Sequence, residues 1–160
     1  MANILIKNAK TISKIFSIGF ILTLIGFLVF FALYANRGFD ITDESHYLLM
    51  AMQIENNIAS NSQFGYITQY IWFFSGENIE NFRFLSIAIL FLTALIFAIS
   101  LDSFLTKKYH QASNISKRII AIAALSVTAF IYFQWWLISI SYNLLSLVSC
   151  LLVISGLFIA

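Results

Sequence analysis

The chain has 160 residues, 61% hydrophobic and only 10% charged, with a formal charge of +2. A soluble domain carries about 25% charged residues, so the composition excludes an ordinary soluble enzyme and indicates an all-α, polytopic integral membrane protein. The single cysteine, Cys150, excludes an intrachain disulfide and a CxxC metal site, and the absence of proline leaves the long helices without proline kinks.

In chain order, the first predicted span is 15–34, which carries no charge. At 1.5 Å per residue it covers the roughly 30 Å hydrocarbon core. Lys7, Lys10 and Lys14 precede it, as in a signal peptide, but the run is longer than the ~7–15 apolar residues of such a peptide. Ala32 and Ala35 also lack the small-x-small spacing of a cleavage site, so the span reads as an uncleaved anchor. A polar and aromatic loop occupies 35–81. The second span covers 82–105 and is interrupted by Asp102, which is expected to reach water or Lys107. The third covers 119–137 and ends in Gln134-Trp135-Trp136, an interfacial belt. A brief polar turn from Ser139 to Asn143 leads into a fourth run, 144–160. That tight connection predicts an antiparallel hairpin of the third and fourth spans, with Cys150 as a small core residue. The fourth run has no closing anchor, so residues 1–160 read as the N-terminal part of a longer transmembrane domain.

Basic residues set the expected orientation. Lys7, Lys10, Lys14, Lys107, Lys108, Lys117 and Arg118 fall on one side. The 35–83 segment holds Arg37 and Arg83 against Asp40, Asp43, Glu44, Glu55, Glu77 and Glu80. The positive-inside rule then places the N-terminus in the cytoplasm and the acidic loop outside. Asn114-Ile115-Ser116 matches a glycosylation sequon but falls on the cytoplasmic side. The basic residues are too few and too close to the membrane for nucleic-acid binding; they are topology determinants and candidate contacts for anionic lipid.

The outer loop has its own pattern. From Asp43 to about Ala59, Tyr47, Met50, Ile54 and Ile58 recur at helical spacing. Thr42 or Asp40 is the expected N-cap, and Asn56-Asn57 with Ser60-Asn61-Ser62 breaks the helix. A second amphipathic helix is predicted from Phe64 to Phe74, ended by Ser75-Gly76. Helices with an apolar face but no spanning length lie on the membrane surface. Asp43 and Glu44 sit in the first turn of the earlier helix, where neighbouring side chains diverge by about 100°. If both served one atom, residue 43 would need non-helical backbone. If one acts, Asp43 is the better placed, since it shares a row with Tyr47. The plainer reading of the pair is helix-terminal charge; of Arg83, an interfacial anchor; of His46, a solvated helix residue and not a metal ligand; of Tyr47, packing; of Asn143, helix capping.

Asp43-Glu44-Ser45-His46-Tyr47, at the start of an outer loop behind a basic tail and one span, resembles the D-E-x-x-Y signature of the GT-C membrane glycosyltransferases. The protein O-mannosyltransferase and aminoarabinose transferase group is the nearest in look. Asn81-Phe82-Arg83-Phe84-Leu85 resembles the Arg-bearing entry to that group's second span, and Ser141-Tyr142-Asn143 is similar more weakly. The resemblance implies a GT-C-like fold and inverting transfer of a sugar from a polyprenyl-phosphate donor. The acceptor would be a hydroxyl of a glycan, lipid or protein, at the outer face of a bacterial inner membrane. It implies Asp43 as general base. Glu44 would orient the acceptor or, with Asp43, help hold a divalent cation. Arg83 would meet the lipid phosphate, and Tyr47 and Asn143 would contact substrate. Two other classes fit the layout: a multi-span transporter subunit, which would carry facing polar groups inside its spans, and a non-catalytic membrane scaffold, to which Asp43 and Glu44 would be dispensable.

Overall fold

The structure, a computed structural model, describes residues 2–37, 43–53, 64–109, 115–133 and 138–160. Among them there are six α-helices, one 3-10 turn and no strand. The chain divides into two units, Met1–Tyr34 and Ala35–Ala160.

The first unit lies within a single long helix, α1, Ala2–Ala35, whose last residue already belongs to the second unit. Its stretch Lys14–Ala35 is long and apolar enough to cross a membrane. Ile15, Phe16, Leu22 and Leu33 lie exposed along it, as expected where lipid is the surrounding solvent. Thr23 donates its hydroxyl to the Gly19 carbonyl at 2.9 Å, which hides the polar group inside the helix.

The second unit is organised around α4, Ile79–Tyr109, a helix of 31 residues and roughly 46 Å. A stripe of Ser86, Leu90, Thr93, Ala94 and Ala98 is buried along it. Small residues on such a stripe let neighbouring helices approach closely where lipid removes the usual hydrophobic drive. Two helices use it. α5, Ile115–Thr128, runs opposite to α4: Arg118 bonds Asp102 near one end, while Phe130 stacks on Phe91 at 5.6 Å further back. α6, Tyr142–Ile159, runs the same way as α4, with Phe158 against Phe97 and Phe104 at 6.1 and 5.1 Å. The packing differs from the predicted hairpin. α5 and α6 each lie on α4 and touch one another little.

The third predicted span also takes a different form. α5 covers 14 residues, about 21 Å, and continues as a 3-10 turn, Ala129–Tyr132. The β-branched Val127, Thr128 and Ile131 weaken the α-helical preference here. Among the described residues, three helices are long and apolar enough to cross a membrane: Lys14–Ala35, Ile79–Tyr109 and Tyr142–Ile159. They make the chain an integral membrane protein. The Trp135-Trp136 belt lies outside the described residues, as do both proposed N-caps, the loop breaks beyond Gln53 and Asn114 of the sequon.

Two short helices precede α4. α2, Asp43–Met52, is the first half of the helix expected up to Ala59; residues 54–63 are outside the described part. α3, Phe64–Phe74, has the predicted bounds. Its end shows why. The Glu77 N–H donates to the Trp72 carbonyl at 3.2 Å and the Gly76 N–H to that of Phe73 at 3.0 Å, the bond pair of a Schellman C-cap. Gly76 takes the left-handed backbone that this motif needs, at φ 69°. Asn78 then caps α4, its side-chain oxygen accepting from the N–H groups of Glu80 and Asn81 at 2.8 and 3.2 Å. Trp72 packs edge-on against Phe82 at 5.5 Å, which fixes α3 against the start of α4.

Candidate functional site

Asp43 and Glu44 open α2 and part at once. Asp43 is the first helical residue and is exposed; Glu44 is fully buried. Consecutive helical side chains point about 100° apart, and here that divergence sends one carboxylate outward and the other into the packed interior. The arrangement with both on one atom is therefore not the one adopted.

A buried carboxylate needs compensation, and Glu44 receives it from a residue 39 positions away. Arg83, one turn into α4, donates from Nε to Glu44 Oε1 at 2.8 Å and from Nη2 to Oε2 at 2.7 Å. This is the two-pronged geometry that a guanidinium offers a carboxylate. The exposures are 1% for Arg83 and 0% for Glu44, so neither charge reaches solvent. Arg83 Nη1 donates to the carbonyls of Ala35 and Arg37 at 2.5 and 2.8 Å. The Ser139 hydroxyl donates to Glu44 Oε1. One ion pair thus ties together the chain at 35–37, the start of α2, the start of α4 and the segment entering α6.

That last segment is the polar turn of the sequence reading, and it is buried from Ile138 to Ser141. Ser141 is extended, at φ −120° and ψ 163°, and caps α6 by accepting from the Leu144 N–H at 3.2 Å. Its hydroxyl also meets the Tyr132 hydroxyl at 3.2 Å. Tyr142 follows and is half exposed. Its ring stands edge-on to Tyr47 at 5.9 Å. Tyr47 is itself buried, with Phe64 edge-on at 5.7 Å. Burial, and then Tyr142 and the Asp43 carboxylate, push the Tyr47 phenol up to about 12. Tyr47 is thus a neutral hydroxyl in the wall beside Asp43.

The structure therefore brings Asp43, Glu44, Tyr47 and Arg83 to one end of the α4 bundle. Asn143, exposed in the first turn of α6, lies at that same end, next to Tyr142. His46 is exposed, its ring edge-on to Tyr47 at 5.8 Å. Ser139 is the residue that sequence reasoning missed, and Tyr142 entered it only within the weaker Ser141-Tyr142-Asn143 resemblance. Their signal was the density of hydroxyls in one short turn, where attention went to Asn143 instead.

The Glu44 carboxylate, one of the two candidate cation ligands, is engaged by Arg83 and Ser139. Among the described residues no three His, Cys, Asp or Glu side chains gather. Both Glu44 oxygens face a guanidinium, whose charge repels a second cation.

At the opposite end of α4, Asp102 bonds Arg118, from Nη2 at 2.6 Å and Nε at 2.8 Å. The sequence reading sent it to water or Lys107; the antiparallel start of α5 brings Arg118 closer. Lys108 instead lies over the Phe104 and Tyr109 rings at 5.6 and 5.7 Å. Cys150, expected in the core, is exposed on α6, because α6 turns mainly Leu144 and Ser155 inward.

No family model matches the chain, and neither a curated protein nor a solved structure matches it.

Proposed function

We propose that these residues form the N-terminal part of a GT-C-like membrane glycosyltransferase. It moves a sugar from a polyprenyl phosphate to a hydroxyl at the outer face of a bacterial inner membrane. The observation that carries this reading is the split of the acidic pair: an exposed Asp43 is held at the end of a membrane-spanning bundle by a buried anchor on the very next residue. Asp43 takes the proton of the acceptor hydroxyl, and general bases of this kind contribute about 10²–10⁴-fold. The acceptor oxygen bonds the anomeric carbon while the bond from that carbon to the phosphate oxygen breaks. The lipid phosphate leaves with the electron pair, and the configuration inverts. Tyr47 and Asn143 line the approach as hydroxyl and amide partners for the substrate. In this reading the α5 segment completes a fourth crossing, the basic residues 107–118 face the cytoplasm, and the spans bury the prenyl tail.

The spans carry little charge at mid-depth, against a transporter, whose pathway would need polar groups there. The scaffold reading is separated by experiment. Asp43→Asn in the full chain keeps the shape and removes the base. Sugar transfer in membranes should fall at least about 100-fold, with insertion and melting unchanged. Transfer at the parental rate excludes this role for Asp43.

A further inference from the structure

We propose that Arg83 and Ser139 are positioning residues that act on Asp43 through Glu44, and that Arg83 is not a direct ligand of the donor phosphate. This deepens the transferase reading and rests on it. The sequence alone leaves Arg83 open to a phosphate, since guanidinium and phosphate match well. The geometry points elsewhere. Arg83 is buried to 1% exposure and its Nε, Nη1 and Nη2 all point into protein. A phosphate would have to displace Glu44 or two backbone carbonyls to gain the same donors, and would leave a buried carboxylate without its counter-charge.

What the cluster does control is the start of α2. Glu44 shares a backbone with Asp43, so the direction of one side chain sets that of the other within the first helical turn. Arg83 fixes Glu44 in two dimensions through its paired bonds. Ser139 adds a third direction, from the segment that enters α6. Tyr142, three residues after Ser139, packs on Tyr47, which lies one turn after Asp43. Both contacts fall just after Asp43, on Glu44 and Tyr47, and tie the first turns of α2 to the segment 139–142. A base must sit within about 2.6–3.2 Å of the proton it takes, and a displacement of about 1 Å can cost around 100-fold. A rigid buried anchor next to an exposed base is suited to that demand.

The test uses the full chain with Arg83→Lys, Ser139→Ala and the pair combined. Both single changes keep the charge and most of the volume, and melting of each variant checks that the fold is retained. Two readouts are taken. In sugar transfer, each single variant should lower kcat about tenfold or more with donor KM unchanged. The double variant should lose far less than the product of the two, because both act through one carboxylate. A raised donor KM in Arg83→Lys, multiplying with Ser139→Ala, would show direct phosphate contact and overturn the proposal. The second readout needs no activity. Asp43→Cys in a Cys150→Ser background is labelled with a maleimide in membranes, and Arg83→Lys or Ser139→Ala should change the labelling rate several-fold. An unchanged rate overturns the positioning role. If the parent chain transfers no sugar while labelling responds as expected, the transferase reading fails and the positioning of residue 43 stands.

Discussion

Two arginine–carboxylate pairs sit at opposite ends of α4, and they differ in everything but chemistry. Arg83–Glu44 and Arg118–Asp102 have nearly equal closest separations, 2.7 and 2.6 Å. The first pair has exposures of 1% and 0%; the second, 37% and 18%. The first links residues 39 apart and draws in Ser139 and two backbone carbonyls. The second joins consecutive helices. Distance alone would rank them equal. Desolvation and connectivity decide otherwise: a buried charge that loses its partner stays buried, whereas an exposed one is rehydrated.

The largest expected effect tests the buried pair. Arg83→Gln leaves Glu44 uncompensated and should cost about 3–5 kcal/mol of stability, read from thermal unfolding in detergent. Adding Glu44→Gln should restore much of that loss, since the amide needs no counter-charge. A neutral Arg83→Gln would erase the contrast between the two ends. The same end has a pH signature. Tyr47 keeps its proton up to about 12 when folded against 10.0 in an ordinary phenol. Its contribution is therefore intact below pH 10 and is lost as pH rises from 10 to about 12, because the unfolded chain releases that proton first. Tyr47→Phe should flatten that part of the stability curve, as measured by melting at stepped alkaline pH.

A smaller effect concerns the link that aims Arg83. Gly76 has φ 69° and free space around its α-carbon, so Gly76→Ala meets no clash and pays only the left-handed backbone, about 1–2 kcal/mol. Melting of that variant reads the strain directly, and a loss well above this range would mean that α3 shifts against α4. Asn78→Ala removes the cap of α4 and should cost about 1 kcal/mol, measured the same way.

These contrasts bear on what a sequence makes legible. The long spans were legible because an uncharged run of about 20 residues has few alternatives. The α3 bounds were legible because Ser75-Gly76 is turn chemistry that reads locally. The acidic start of the outer loop stood out for its charge. The Glu44–Arg83 bond was not legible, although both residues were singled out, since pairing across 39 positions depends on how α2 docks. The divergence of adjacent helical side chains was readable, but not which carboxylate would turn inward. Ser139 was missed because serine is common in turns, and its partner, Glu44 of α2, lies 95 positions away. The expected hairpin of the last two spans failed for the same reason: a short connection suggests neighbours, but both helices pack on α4 instead.

The exposed pair supplies the weakest and most discriminating prediction. Arg118→Gln removes a bond of 2.6 Å, shorter than either bond of the buried pair. If separation governed strength, it should destabilise at least as much as Arg83→Gln. If solvent access governs, Asp102 turns to water and the melting transition stays where it was. The orientation of the chain gives an independent handle, because Arg118 belongs to the basic cluster with Lys107, Lys108 and Lys117, and one charge fewer should leave insertion unchanged. Unmoved melting and insertion, beside a large loss in Arg83→Gln, would show that the two ends of α4 use the same pair of side chains differently: one as a buried tie among distant segments, the other as a partly exposed link between consecutive helices.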